Sequence, residues 1–163
     1  MKDRRGAVYV EFLAVFMPLL TAFLCLAQGV GMFSAKLITK HAAVLGARAA
    51  VVVIPDDKQY YDGVDKGQAT GKKLDDIKKA VLIGLGANKS ISLALTMNQI
   101  IVGGDSKAAK SNFSRNETVT VYVDSVYRCS LPIGKYAVCG FDTLATLQSK
   151  ASLRIHGADY DYP

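Results

Sequence analysis

The chain has few of the residues from which active sites are built. Its 163 residues include two histidines, His41 and His156, and three cysteines. No carboxylate or thiol spacing joins the histidines into a metal site, and no serine lies in a nucleophile elbow. The sequence therefore predicts a protein that is not an enzyme and that has no catalytic residue, metal or cofactor.

Two stretches that resemble binding motifs each lack a required part. "GLGANKS" at residues 84–90 is similar to a phosphate loop, but Asn88 stands where glycine should precede the lysine, and the stretch is predicted to follow a helix rather than a strand. We expect a helix end and a turn there. The polar loop at residues 55–71 contains four aspartates that do not match the order of an EF-hand. A solvated loop is the favoured interpretation, and calcium binding stays open; the aspartates are Asp56, Asp57, Asp62 and Asp65.

The net charge of +6 lacks the arrangement that nucleic-acid binding needs. Lysines and arginines are scattered among aspartates, and no basic stripe is interleaved with aromatic residues. A basic surface that follows a nucleic-acid backbone would show such clustering. We therefore expect no nucleic-acid partner, and we attribute the charge to solubility.

One long segment, residues 12–35, contains no charged residue at all. It is long enough for the roughly 20 apolar residues of helix that a bilayer core requires. Lys2, Arg4 and Arg5 precede it, and basic residues that flank a span tend to stay in the cytoplasm. The sequence predicts a single transmembrane helix over residues 12–35, with the N-terminus cytoplasmic and the rest of the chain outside the cytoplasm.

A cleaved signal peptide is the alternative for the same segment. "CLA" at residues 25–27 offers a small-residue cleavage site, and cleavage by signal peptidase would give a secreted enzyme beginning at Gln28. Glu11 argues against this, because an acid is unfavourable between the basic and apolar regions of a signal. The apolar character also continues past Gln28, and Leu24 stands where a lipoprotein signal needs a small residue before Cys25.

The other two cysteines, Cys129 and Cys139, enclose "SLPIGKYAV", which contains a proline and a glycine. A pair that closes a short, turn-rich loop is typical of a disulfide in an oxidising compartment. This agrees with an extracytoplasmic location, and two reduced thiols are the alternative. For Cys25 we expect simple packing, and whether it is modified stays open.

The helical pattern continues beyond the apolar segment, so we expect one helix over residues 7–54. Pro18 should kink it, and the heptad positions Leu37, Val44 and Val51 lie among small residues that allow close packing on other helices or on the chain's own domain.

Residues 55–163 would form a small extracytoplasmic α+β domain. Its predicted elements are an amphipathic helix with Leu74, Ile77, Val81 and Leu85 on one face, and antiparallel strands at residues 90–96, at residues 117–129 and through Leu153 and Ile155.

Gly6, Ala7 and Glu11 complete a recognisable pattern: basic residues, glycine, four residues, glutamate and then an apolar run. This N-terminus resembles a type IV prepilin and, more narrowly, the TadE-like minor pseudopilins of the tight-adherence (Flp) pilus system. Phe12 after the glutamate, Pro18 and the Ala/Gly-rich stretch up to "GARAA" add to the resemblance, which covers residues 1–54. The domain that follows distinguishes the chain from the much shorter major pilins; TadF and TadG types stay open.

The resemblance implies a pilin-like helix that is first processed by a peptidase and then assembled with other subunits. A prepilin peptidase would remove the leader, residues 1–6, by cutting between Gly6 and Ala7. Glu11 would then be the fifth residue of the mature chain and, with Phe12 beside it, would set register by pairing with the N-terminal amine of a neighbouring subunit. An unpaired carboxylate in an apolar bundle is costly. Whether that amine is methylated stays open.

The implied partners are the prepilin peptidase, other pilin and pseudopilin subunits, the inner-membrane assembly machinery and the lipid bilayer. The implied location is the bacterial inner membrane and then the pilus, with a role in pilus initiation, at the tip or in assembly. The alternative function is a single-pass envelope protein whose exterior domain binds a ligand or partner. In that case Glu11 would be an acid that reaches the membrane interface.

Overall fold

The computed structural model describes residues 5–86, 95–140 and 144–156. The long apolar N-terminal helix expected from the sequence is present as α1, Arg5–Val53, which at 1.5 Å per residue is about 74 Å long. It continues through Pro18, whose missing N–H leaves the carbonyl of Ala14 without its helical donor. The kink expected at this proline stays a prediction.

A small α+β domain follows α1. A loop with a short 3-10 turn, Lys58–Tyr60, leads into α2, Gly71–Gly86. Three strands and one short helix complete the domain: β1, Leu95–Gly103; β2, Thr118–Arg128; α3, Gly134–Cys139; and β3, Leu144–Arg154. The strands form one antiparallel sheet in the order β1-β2-β3, which confirms the expected α+β layout.

The second half of α1 lies between α2 and the sheet. A Cβ built on Gly46 would lie 2.4 Å from Val81 of α2 and 3.1 Å from Val121 of β2, so three elements meet at this glycine. The strand β2 turns alternate side chains, including Val119, Val121 and Val123, into the core. On α2 the predicted apolar face is confirmed, because Ile77, Val81 and Leu85 are buried and Leu74 packs against the core.

Gly84 has a packing role in this arrangement. A Cβ built on it would lie 3.0 Å from the Cα of Ala42, so the glycine lets α2 approach α1 closely. α2 ends at Gly86, which confirms the helix end expected within the "GLGANKS" stretch. Residues 87–90 lie outside the described residues.

The sheet differs from the predicted one at its first strand. β1 runs from Leu95 to Gly103, later than the predicted 90–96, and Ile91 and Leu93 lie outside the described residues. The later part of β1 has weak alternation, since Ile100 and Ile101 are both half-buried and Val102 and Gly103 are both buried. Its strand conformation comes from pairing with β2, for example Val102 opposite Val121, which short-range pattern does not reveal.

The loop between Cys129 and Cys139 was expected to be a plain turn, and the structure adds α3 within it. The N–H of Lys135 donates to the carbonyl of Leu131 at 3.0 Å, which closes the first helical turn. A six-residue helix is too short for an apolar period to show in the sequence.

Candidate functional site

The first part of α1 projects from the domain. Its large apolar side chains are exposed: Val8, Tyr9, Val10, Phe12, Leu13, Val15, Phe16, Met17, Leu19 and Phe23. We call residues 6–23 the projecting segment; at 1.5 Å per residue it is about 27 Å long, close to the thickness of a bilayer core. By length and composition, α1 could cross a membrane.

Gly6 and Glu11 both lie at the start of this segment and are exposed. A Cβ built on Gly6 would meet no atom within 4 Å, so no packing requires a glycine at this position. Among the described residues no ion pair involves Glu11. Lys2, Asp3 and Arg4 lie outside the described residues, and the side chains of Arg5 and Ala7 are not described either. The structure therefore places Glu11 on an apolar surface that nothing in the described chain covers.

Residues 28–53 of α1 form the packed half. Small side chains line its buried face: Ala35, Ala42, Ala43, Ala47 and Ala50, with Gly46 among them. The small residues were expected to pack on other helices or on the chain's own domain, and in the structure they pack on the domain. Leu37 remains 52% exposed, whereas Val44 and Val51 are half-buried, so the heptad positions lie beside the contact and the small residues form it.

Gln28 marks the boundary between the two parts of α1. It is 1% exposed, its Oε1 accepts the backbone N–H of Leu131 at 3.1 Å, and its Nε2 donates to the Tyr127 hydroxyl at 3.4 Å. The loop closed by the predicted disulfide, Cys129–Cys139, thus docks on α1. The second half of the predicted span, residues 24–35, therefore has protein against one side. Cys25 is free and half-buried.

Sequence reasoning missed a buried cation at the far end of α1. The Lys73 side chain is fully buried, and its ammonium donates to the carbonyls of Ile54 at 3.0 Å, Asp56 at 2.9 Å and Asp65 at 3.1 Å. Burial lowers the pKa of Lys73, although nearby aspartates act in the opposite direction. A signal was present, because Lys73 lies four residues before Ile77 on the buried face of α2.

This ammonium occupies the inside of the aspartate-rich loop. At the surface of the loop, Asp57 pairs with Lys66 at 3.7 Å and Asp62 pairs with Lys72 at 3.8 Å. The backbone N–H of Gln59 donates to the Asp57 carboxylate, which lowers the pKa of Asp57. Within the described residues no group of three histidines, cysteines or carboxylates is placed to hold a metal ion.

A shallow groove lies between α1 and β3 and bears on the alternative of a ligand-binding domain. Its volume is about 370 Å³, which lies within the usual range for small-ligand sites. It is lined by Phe33, Lys36, Leu37, Lys40 and residues 148–150. Its chemistry is that of a basic, partly apolar surface, and no particular ligand follows from it.

Comparison of the chain with protein-family models, with curated proteins and with solved structures finds no match.

Proposed function

We propose that the chain is a structural minor pseudopilin of the TadE-like type, cleaved after Gly6 and acting in initiation, at the tip or in assembly of a tight-adherence pilus. The observation that supports this best is the position of Glu11. It is a single carboxylate on a helical segment whose large apolar side chains are exposed and uncovered by the described chain. Such a segment suits a bilayer before assembly and a bundle of subunit helices afterwards.

The energetics of Glu11 explain why a partner is required. A carboxylate in an apolar environment is strongly disfavoured unless a cation neutralises it. Cleavage at Gly6 would create an ammonium on Ala7, and the equivalent amine of a neighbouring subunit is the proposed counter-ion. A misplaced subunit would leave both charges unpaired, at a cost of several kcal/mol. The pair would therefore select the correct axial register between helices.

The packed half of α1 gives the assembly a rigid attachment. Since residues 28–53 are held between α2 and the sheet, the domain is fixed on one end of a helix whose other end is available to neighbours. In this proposal the peptidase, the other pilin subunits and the inner-membrane assembly machinery all act on the projecting segment. The domain lies outside the cytoplasm, which is consistent with its disulfide.

Processing is tested by intact-mass measurement of the full chain produced with and without a prepilin peptidase. We expect a product beginning at Ala7 only when the peptidase is present, and we expect Gly6→Leu to block the cut. Gly29→Leu is the matched control, because a Cβ built on either glycine meets no atom within 4 Å, and it should be cut normally. An uncut native chain beside an active peptidase would instead favour the single-pass envelope protein.

Assembly is tested separately with Glu11→Ala, Glu11→Gln and Glu11→Asp in the native host. We expect the first two to be cut but to enter pili poorly, because they remove the charge. Glu11→Asp should retain part of the function. Normal piliation with Glu11→Ala would contradict the role in register and would leave the processing result standing.

A further inference from the structure

The loop closed by Cys129 and Cys139 contains a strained turn. Ile133 has φ 65° and ψ −56°, and the N–H of Gly134 donates to the carbonyl of Pro132 at 2.7 Å, so the three residues form a γ-turn. A positive φ is unfavourable for a β-branched residue. The side chain of Ile133 is nevertheless 47% exposed, so burial within the chain does not compensate for this conformation.

The same turn brings the loop into close contact with α1. A Cβ built on Gly134 would lie 2.6 Å from the carbonyl oxygen of Leu24 and 3.2 Å from Cβ of Gln28. The loop is therefore held against α1 at the residue that follows the projecting segment. If residues 6–23 cross a bilayer core of about 30 Å, their length of about 27 Å brings this loop to the level of the lipid headgroups.

The side chains around the turn are of the types found at membrane interfaces, with Ile133 and Tyr136 exposed and Lys135 half-buried. Tyr136 is 55% exposed, and the Lys135 ammonium lies 4.8 Å from the centre of its ring. Leu144, which pairs with Arg128 across the sheet, is also exposed. Aromatic rings and basic groups concentrate at membrane interfaces, where aliphatic side chains can insert and ammonium groups meet phosphates.

We propose that this loop is a membrane foot, formed by Ile133, Lys135, Tyr136 and Leu144, that rests in the phospholipid headgroup layer beside α1. The proposal rests on the membrane-spanning part of the proposed function and adds a second contact to it. A single transmembrane helix would leave α1 and its attached domain free to tilt relative to the bilayer. A foot against the headgroups fixes the orientation of the domain before the subunit is drawn into a filament.

The chain contains no tryptophan, so single tryptophans report depth without background. The full chain is reconstituted in phosphatidylcholine–phosphatidylglycerol nanodiscs that carry nitroxide-labelled lipids. We expect a headgroup nitroxide to quench Tyr136→Trp and to leave Tyr60→Trp unquenched. Tyr60 is the matched control because it is similarly exposed, at 59%, but follows the opposite end of the packed half, about 44 Å along α1 from Leu24.

A third reporter separates failure of the foot from failure of the span. Phe16→Trp, in the projecting segment, should be quenched by a nitroxide deep in the acyl chains. If it is quenched while Tyr136→Trp is not, the foot is wrong and the span stands. If neither is quenched, both are wrong. Emission from Tyr136→Trp that shifts to the blue as protein density rises, without quenching, would assign this surface to a second copy and overturn the foot.

Ile133→Gly tests the anchoring side chain without threatening the fold. Glycine adopts positive φ readily, so this change relieves the turn while it removes the aliphatic group. Combined with Tyr136→Trp, it should reduce headgroup quenching and leave the thermal unfolding temperature unchanged or raised. Quenching that is unaffected by Ile133→Gly would overturn the assignment of Ile133 to the foot.

Discussion

The two parts of α1 share one continuous helix and differ in the size of their side chains. The projecting segment presents phenylalanine, leucine, valine and methionine outward, whereas the packed half buries mainly alanine and glycine. Both parts are helical, so helix propensity does not separate them. Side-chain size separates them, because only small residues let α1 approach α2 and the sheet within a few ångströms.

This difference identifies the partner of each part. Small residues bring backbones close, and on this chain they mark the face that the domain itself covers. Large exposed apolar residues in a continuous patch indicate a different environment, either lipid or other helices. Each half of α1 can be perturbed separately, with the other half serving as the control.

The largest effect is expected from a side chain placed at Gly46. Gly46→Leu would direct its Cβ to within 2.4 Å of Val81 and 3.1 Å of Val121, both of which are fully buried. Overpacking of a rigid core costs about 1–3 kcal/mol and occasionally more, and here two elements must move apart at once. We expect a loss of about 3 kcal/mol in urea denaturation of the full chain in detergent, followed by the near-ultraviolet circular dichroism of its tyrosines.

Gly29→Leu is the control for this change on the same helix. A Cβ at Gly29 meets nothing within 4 Å, so the denaturation midpoint should stay close to that of the unmodified chain. Equal losses from the two substitutions would show that glycine itself, and not close packing, matters in α1.

A smaller but still large effect is expected at the end of the packed half. Lys73→Met retains the length and the apolar part of the side chain but leaves the carbonyls of Ile54, Asp56 and Asp65 without their shared donor. The Ile54 carbonyl keeps the N–H of Gly67 as a second donor at 2.9 Å, so the cost comes mainly from the part-buried carbonyls of Asp56 and Asp65, which lose a charged donor. A hydrogen bond to a charged group contributes about 1.5–3 kcal/mol. We expect a loss of about 2–3 kcal/mol in the same urea experiment.

The neighbouring Lys72→Met provides the matched comparison. Lys72 is exposed and pairs with Asp62 at 3.8 Å, and such surface pairs contribute about 0–1 kcal/mol. If Lys73→Met is no more destabilising than Lys72→Met, then the end of α1 is held by apolar packing alone and the carbonyl contacts contribute little.

The sequence predicts the features of this molecule that depend on neighbours along the chain. Local spacing predicts the long helix and the apolar face of α2 around Ile77 and Val81. It also predicts the disulfide between two cysteines that are ten positions apart. The strand β2 is equally clear from its alternation. For the candidate site, the sequence reveals Gly6 and Glu11 as a motif, and the structure adds that the segment around Glu11 is exposed.

The features that the sequence does not predict depend on contacts between distant residues. Gln28 meets Leu131 across 103 positions, and Lys73 meets Ile54 across 19. A glutamine in an apolar helix and a lysine on an apolar face are visible as exceptions in the pattern, but their partners are backbone groups. Every residue carries such groups, so the pattern of side chains cannot specify which carbonyl or N–H is reached.

The smallest effect is expected at the boundary itself. Gln28→Met preserves volume but removes the acceptor for the Leu131 N–H and the donor to Tyr127. Because Leu131 is only half-buried and the Tyr127 contact is 3.4 Å long, we expect a loss of about 1 kcal/mol. Faster amide hydrogen exchange should be confined to the loop at residues 129–139.

Thr21→Val in the projecting segment removes only a hydroxyl bonded to Met17 of its own helix, so it should leave that loop unchanged. If exchange in the loop is the same in both variants, Gln28 does not set the boundary. The close approach of Gly134 to Leu24 would then suffice to divide α1 into its two parts.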